Sequence, residues 1–142
     1  MNKKGFTLVE VLTAIVILSI ITVSLLSMFI QSSRSTRLSE NILDATYVAQ
    51  SHMEELIHVN KSSQPGSLIE FAELLTEKEG YFPDSDCSQC YGKTTPQDER
   101  YILVQVSHYS TNLGKLVVKV FNNDTKARQE AQMETLLQWN QR

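Results

Sequence analysis

The chain has little of what interrupts a helix. It contains only three prolines and five glycines, and neither type occurs between Phe6 and Gln64. That absence excludes a turn-rich N-terminal half and predicts a single helix over residues 6–59, about 80 Å long at 1.5 Å per residue. Charge is also missing from residues 11–30, a run of about twenty residues that matches the thickness of a bilayer core. The mean hydropathy of the whole chain is slightly negative, so a multi-pass protein is excluded. Basic residues do not dominate: the formal net charge is −3, without a basic cluster, and gives no electrostatic case for binding nucleic acid. No Ser-His-Asp set, glycine-rich phosphate loop or pair of catalytic acids is identifiable. Neither an enzyme nor a cofactor is therefore expected.

What is present at the N-terminus is one apolar span with a lone acid at its edge. Lys3 and Lys4 precede the span, and the bias of positive charge toward the cytoplasm then keeps that end inside and sends the C-terminal bulk outward. A cleaved secretory signal fits poorly, because its apolar region is normally 7–15 residues and ends at a small-residue site. Glu10 is the anomaly. An ionised carboxylate in hydrocarbon costs at least ~2.5 kcal/mol, which calls for a nameable partner, and the span itself supplies none. The bland alternative is an acid that reaches out of the helix end toward water.

Beyond the span, Leu38, Ile42, Ala45, Ala49, Met53 and Leu56 recur at helical spacing and form one apolar stripe. An all-round apolar half suits lipid or like helices, whereas a stripe needs a sheet beside it. Gln64-Pro65-Gly66 ends the run, and Ser67 with Glu70 forms a capping box that predicts a short helix over residues 68–78. Residues 81–99 have no period and read as a long structureless loop. Strands are predicted over residues 101–109 and 115–122, joined by a tight turn at Thr111-Asn112-Leu113-Gly114. The tail, residues 126–142, has helix-favouring composition with tolerable strand alternation through Ala131, Met133, Thr135 and Leu137.

Cys87 and Cys90 admit a redox motif, half of a zinc site or a small disulfide loop, and only the disulfide requires nothing further. A loop that short contributes about 2 kcal/mol by chain entropy, so its effect is local shape. His52, His58 and His108 show no paired spacing, and no metal site is expected. Asp84, Asp86, Asp98 and Glu99 loosely suggest a calcium loop without fixed ligand spacing; a solvated acidic loop is the plainer reading.

The octet Lys3-Lys4-Gly5-Phe6-Thr7-Leu8-Val9-Glu10, with the apolar helix behind it, resembles the class III signal of type IV pilins and of type II secretion pseudopilins. The resemblance implies that a prepilin peptidase cuts between Gly5 and Phe6 and N-methylates Phe6. It further implies that Glu10 meets the new amine of Phe6 on a neighbouring subunit, an intermolecular partner for the lone acid. A glycine at the cut lets backbone enter a tight protease cleft, while Lys3 and Lys4 hold the leader inside. The implied organisation is a leader at 1–5, a membrane helix at 6–30 and an extracytoplasmic head at 31–142. The localisation implied is a single-pass protein of the cytoplasmic membrane that enters a surface or envelope-spanning filament.

Many major subunits of that family carry a proline in the apolar half, where this chain has Ser27 between Leu26 and Met28. The stretch from Asp44 through Ala45, Ala49-Gln50 and Met53-Glu54 to Leu56 is similar to I-type minor pseudopilins and V-type minor pilins. The expectation is thus a minor subunit that primes or caps a filament, of a pilus, a type II secretion system or a DNA-uptake machine. Its partners would be the prepilin peptidase, other minor and major subunits and a membrane assembly platform. The fold implied is α+β, a long N-terminal helix packed on a small antiparallel sheet, with a third strand near residues 129–139 in place of tail helix. A different class of reading is a singly anchored extracytoplasmic binding module.

Overall fold

A computed structural model of the chain describes Gly5, residues 7–96 and residues 99–139. Helix α1 runs Leu8–Ser63 and passes through two compact units, Met1–Glu40 and Asn41–Arg142. In the first unit every described residue is exposed, and apolar side chains lie on all sides of the helix. A stretch of α1 near the N-terminus is long and apolar enough to cross a membrane once. Helix α1 ends four residues later than expected. Gln64, in left-handed conformation (φ 48°), donates its N–H to the Asn60 carbonyl at 3.0 Å before Pro65 stops the chain.

The second unit is α+β. After α2 (Leu68–Glu77) come five strands, β1 (Phe82–Pro83), β2 (Cys90–Thr94), β3 (Tyr101–Ser110), β4 (Leu113–Phe121) and β5 (Gln129–Gln138). They form one antiparallel sheet in sequence order. Ala45, Ala49, Met53, Leu56 and Val59 of α1 are buried in one core with Ile102, Val104 and Val106 of β3 and Leu116, Val118 and Val120 of β4. The two alanines have no bulk to hold the sheet away, which lets the helix lie close. Leu38 and Ile42, the first residues of the expected stripe, remain 48 % and 45 % exposed, so burial of the stripe begins only at Ala45.

Helix α2 starts at the expected capping box. Ser67 Oγ accepts from Glu70 N–H at 3.3 Å, and Glu70 Oε2 accepts from Gly66 N–H at 2.7 Å, one residue outside the cap. Phe71 and Leu75 face the core, and Phe71 packs on Trp139 with ring centroids 5.8 Å apart.

Residues 81–99 correct the loop expectation. Strand β2 pairs along β3 from Cys90 opposite Gln105 to Thr94 opposite Tyr101, and β1 adds two pairs beyond it. The alternation that marks β3 is missing here because the buried positions of β2 are Cys90 and Gly92. Gly92 leaves the space that the Tyr101 ring fills. The tail is strand, as the family resemblance implied and composition did not. Ala131, Met133, Thr135 and Leu137 lie opposite Val120, Val118, Leu116 and Gly114, which places their apolar side chains on the core face and gives the outer groups of β4 a partner.

The hairpin turn is shorter than expected, Thr111–Asn112, and Gly114 belongs to β4. A Cβ at Gly114 would stand inside the Trp139 indole. Gly114→Val is expected to lower stability by about 1–3 kcal/mol, the usual cost of overpacking, and to expose the single tryptophan. A lower urea midpoint together with red-shifted Trp139 emission is the result to look for.

Candidate functional site

The residues singled out at the N-terminus fall where α1 begins. Thr7 is the first described residue before the helix, and its Oγ1 accepts from Glu10 N–H at 3.3 Å while its carbonyl accepts from Val11 N–H at 3.2 Å. Thr7-Leu8-Val9-Glu10 is therefore the Thr half of a capping box, and Thr7 is a helix-edge residue bonded to the backbone. Glu10 occupies the first turn, where a negative charge is favoured by the helix dipole by about 0.3–1 kcal/mol. Among the described residues, nothing hydrogen-bonds to or ion-pairs with its carboxylate, so the acid half of the box is unmade. Lys3, Lys4 and Phe6 lie outside the described residues.

Gly5 is exposed, and a Cβ built on it meets nothing within 4 Å. Among the described residues, packing does not ask for glycine at this position, unlike Gly92 and Gly114. Along the apolar half, Ser19, Thr22, Ser24 and Ser27 donate to carbonyls one turn back, at 2.7, 2.8, 2.9 and 3.1 Å. Each hydroxyl is thus satisfied within the helix and suits an apolar surrounding.

Residues 1–26 match the family model of the prokaryotic N-terminal methylation motif. The match takes in Gly5, Phe6, Glu10 and most of the apolar run, and it supports the pilin and pseudopilin family. No curated protein and no solved structure matches the chain. A methylation motif of this type implies processing by a prepilin peptidase and assembly with other pilins at a membrane. The apolar helix behind the motif agrees with single-pass anchoring.

The acidic residues between β1 and β2 form a structural lock. Lys126 Nζ, from the β4–β5 connection, lies 2.8 and 2.6 Å from the two oxygens of Asp84 and 2.5 Å from Asp86 Oδ2. Tyr101 donates its hydroxyl to Asp84 Oδ2 at 2.5 Å, and Asp86 N–H donates to Asp84 Oδ1 at 2.9 Å. The ammonium occupies the place between carboxylates that a cation would take. Burial would raise the Asp84 carboxyl, but hydrogen bonds from Lys126 and Tyr101 and the lysine charge outweigh it and hold the group below the usual range. The Lys126 ammonium is correspondingly raised against its own burial. Burial and the hydrogen bond to Asp84 push Tyr101 up to about 12. Asp98 lies outside the described residues, and Glu99 is exposed.

Cys87 and Cys90 are joined in a disulfide with Cα atoms 5.4 Å apart. It closes the turn that presents Asp84 and Asp86, whose ends are tied by Asp84 N–H donating to the Cys90 carbonyl at 2.8 Å. Among the described residues no group of three or more His, Cys, Asp or Glu side chains is arranged to hold a metal. The three histidines are apart in role as in sequence. His52 Nδ1 lies 2.9 Å from the Tyr81 hydroxyl, and burial, with the Lys93 charge, lowers its pKa and keeps it neutral near pH 7; His58 and His108 are exposed.

Proposed function

We propose that the chain is a minor pilin-like subunit, cut by a prepilin peptidase between Gly5 and Phe6 and N-methylated on Phe6, that primes or caps a type IV pilus-like filament. Residues 1–5 are the leader, 6–30 the membrane helix and 31–142 the head. Lys3 and Lys4 keep the leader on the cytoplasmic side, and the head stands outside. The observation that carries this reading is the methylation motif, with an acid five residues after its glycine, on a helix unbroken from Leu8 to Ser63.

Glu10 is the assembly residue. Its carboxylate is bonded to no described residue, and the amine created on Phe6 of an adjacent subunit supplies the opposite charge. In a low-dielectric bundle the contact penalises the wrong axial stagger more than it adds net stability, because both ions lose water. The absence of a proline near Ser27 supports a minor role, since every residue of the apolar half keeps the backbone N–H that a proline would remove. The machine served would be a pilus, a type II secretion system or a DNA-uptake apparatus, and the partners other subunits and the membrane assembly platform.

The test is the N-terminus of the protein recovered from cells with an active prepilin peptidase. Mass spectrometry should find a chain that begins at methylated Phe6, and an intact leader sinks the reading. Glu10→Ala should be cut normally yet enter the assembly about tenfold less, equivalent to about 1.4 kcal/mol. Co-purification of Glu10→Ala with other subunits at the wild-type level counts against the role given to this acid.

A further inference from the structure

The outer side of β5 presents a row of backbone groups to which no described strand is paired. Trp139 donates its N–H to the Asn112 carbonyl at 2.9 Å. By the alternation of an antiparallel ladder, the amides of Met133, Thr135 and Leu137 then face β4, whereas those of Gln132, Glu134, Leu136 and Gln138 face away. Proteins commonly protect such an edge with proline, lysine, a bulge or a short strand. Strand β5 is ten residues long and has neither proline nor lysine, and its bulge lies only at its beginning, beside Ala131. Its two acids are neutralised within the chain, Glu130 by Arg100 and Arg128 and Glu134 by Lys115.

Between this edge and the last turns of α1 lies a groove of about 520 Å³, with Ile57, Asn60 and Lys61 on one wall and Leu136, Gln138 and Trp139 on the other. Asn60 is 9 % exposed. Its Nδ2 donates to the Gln138 carbonyl at 3.4 Å, while its Oδ1 is buried with no hydrogen-bond partner among the described residues. An orphaned acceptor beside an unpaired ladder asks for an N–H donor. Lys61 is the one charged residue among those lining the groove.

We propose that the β5 edge accepts an extended segment of another subunit as an added strand, which gives a backbone N–H to Asn60 Oδ1 and sets an acidic side chain beside Lys61. Donors and acceptors that alternate at strand spacing are matched by a polypeptide backbone, and the wall chemistry selects the acid. The identity of the occupant as a fellow subunit rests on the assembly reading above; the edge itself does not.

Hydrogen exchange of the full chain, alone in detergent and in the complex purified with its fellow subunits, tests this. The amides of Gln132, Glu134, Leu136 and Gln138 should exchange at least about tenfold more slowly in the complex. Leu136→Pro removes an outward N–H that β4 does not use, so it should reduce recovery of fellow subunits about tenfold, whereas Leu136→Ala, which trims the groove wall but keeps that N–H, should reduce it much less. Unchanged exchange of these amides in the complex overturns the proposal, as does the same protection in the isolated chain at high concentration, which would make the occupant a second copy. Normal processing at Gly5 alongside unprotected β5 amides refutes this proposal alone, whereas an uncut leader refutes the assembly reading.

Discussion

With the cut proposed after Gly5, Gly5→Val is expected to leave most of the precursor uncut while the head is unchanged. A Cβ at residue 5 meets no atom of the described chain within 4 Å, so the substitution has no packing penalty inside the protein. The penalty arises in the cleft of the peptidase, where extra methyl groups in a tight site cost about 1–3 kcal/mol. Each 1.36 kcal/mol is a factor of ten in rate, so cutting should slow by about 10- to 100-fold. Intact-mass measurement of the membrane fraction reads the ratio of precursor to mature chain, and urea unfolding checks that the head is unaffected. Wild-type processing of Gly5→Val would remove the basis for assigning the cut.

Lys126→Met should cost the head about 1–3 kcal/mol, the range for a part-buried carboxylate that loses its charged hydrogen-bond partner. The Asp84 side chain is only 4 % exposed, and without the ammonium it keeps its desolvation cost with the Tyr101 hydroxyl and the Asp86 N–H to offset it. Adding Asp84→Asn should recover much of the loss, because the asymmetry lies in the stranded charge. Urea unfolding of the full chain in detergent, followed by Trp139 emission, measures both. The pH dependence has a defined sign. Asp84 is depressed in the folded state, so its contribution is present above its unfolded value of about 4 and is lost as pH falls through the lower folded value. Lys126 is raised, so its contribution holds below about 10.4 and is lost as pH rises through the higher folded value. A chain whose stability is equal at pH 6 and at pH 2.5, or a Lys126→Met variant as stable as wild type, contradicts the lock.

Legibility followed the kind of signal. The stripe from Ala45 to Leu56 and the alternation in β3 and β4 are periodic, and their side chains themselves do the packing, so helix and strands could be read. Strand β2 has no such pattern because Cys90 and Gly92 are buried by what surrounds them, a disulfide turn and the Tyr101 ring. Gly114 looked like a turn residue and is a strand residue beneath an indole. The N-terminal motif was legible for a different reason: it is a contiguous linear pattern, contained in residues 1–26. The cap made by Thr7 is equally local, a Thr-x-x-Glu pattern at the helix edge.

Local composition by itself determined the long helix, its apolar half, the α2 cap and the methylation motif, because each depends on neighbours within a few residues of sequence. Only the tertiary structure decided that the tail is a strand, that Asp84 and Asp86 close on Lys126 from about forty residues away, and that β5 is left as an edge. Those outcomes depend on which ladder still lacks a partner and which charge is buried beside which, and no sequence window contains both halves of either pair.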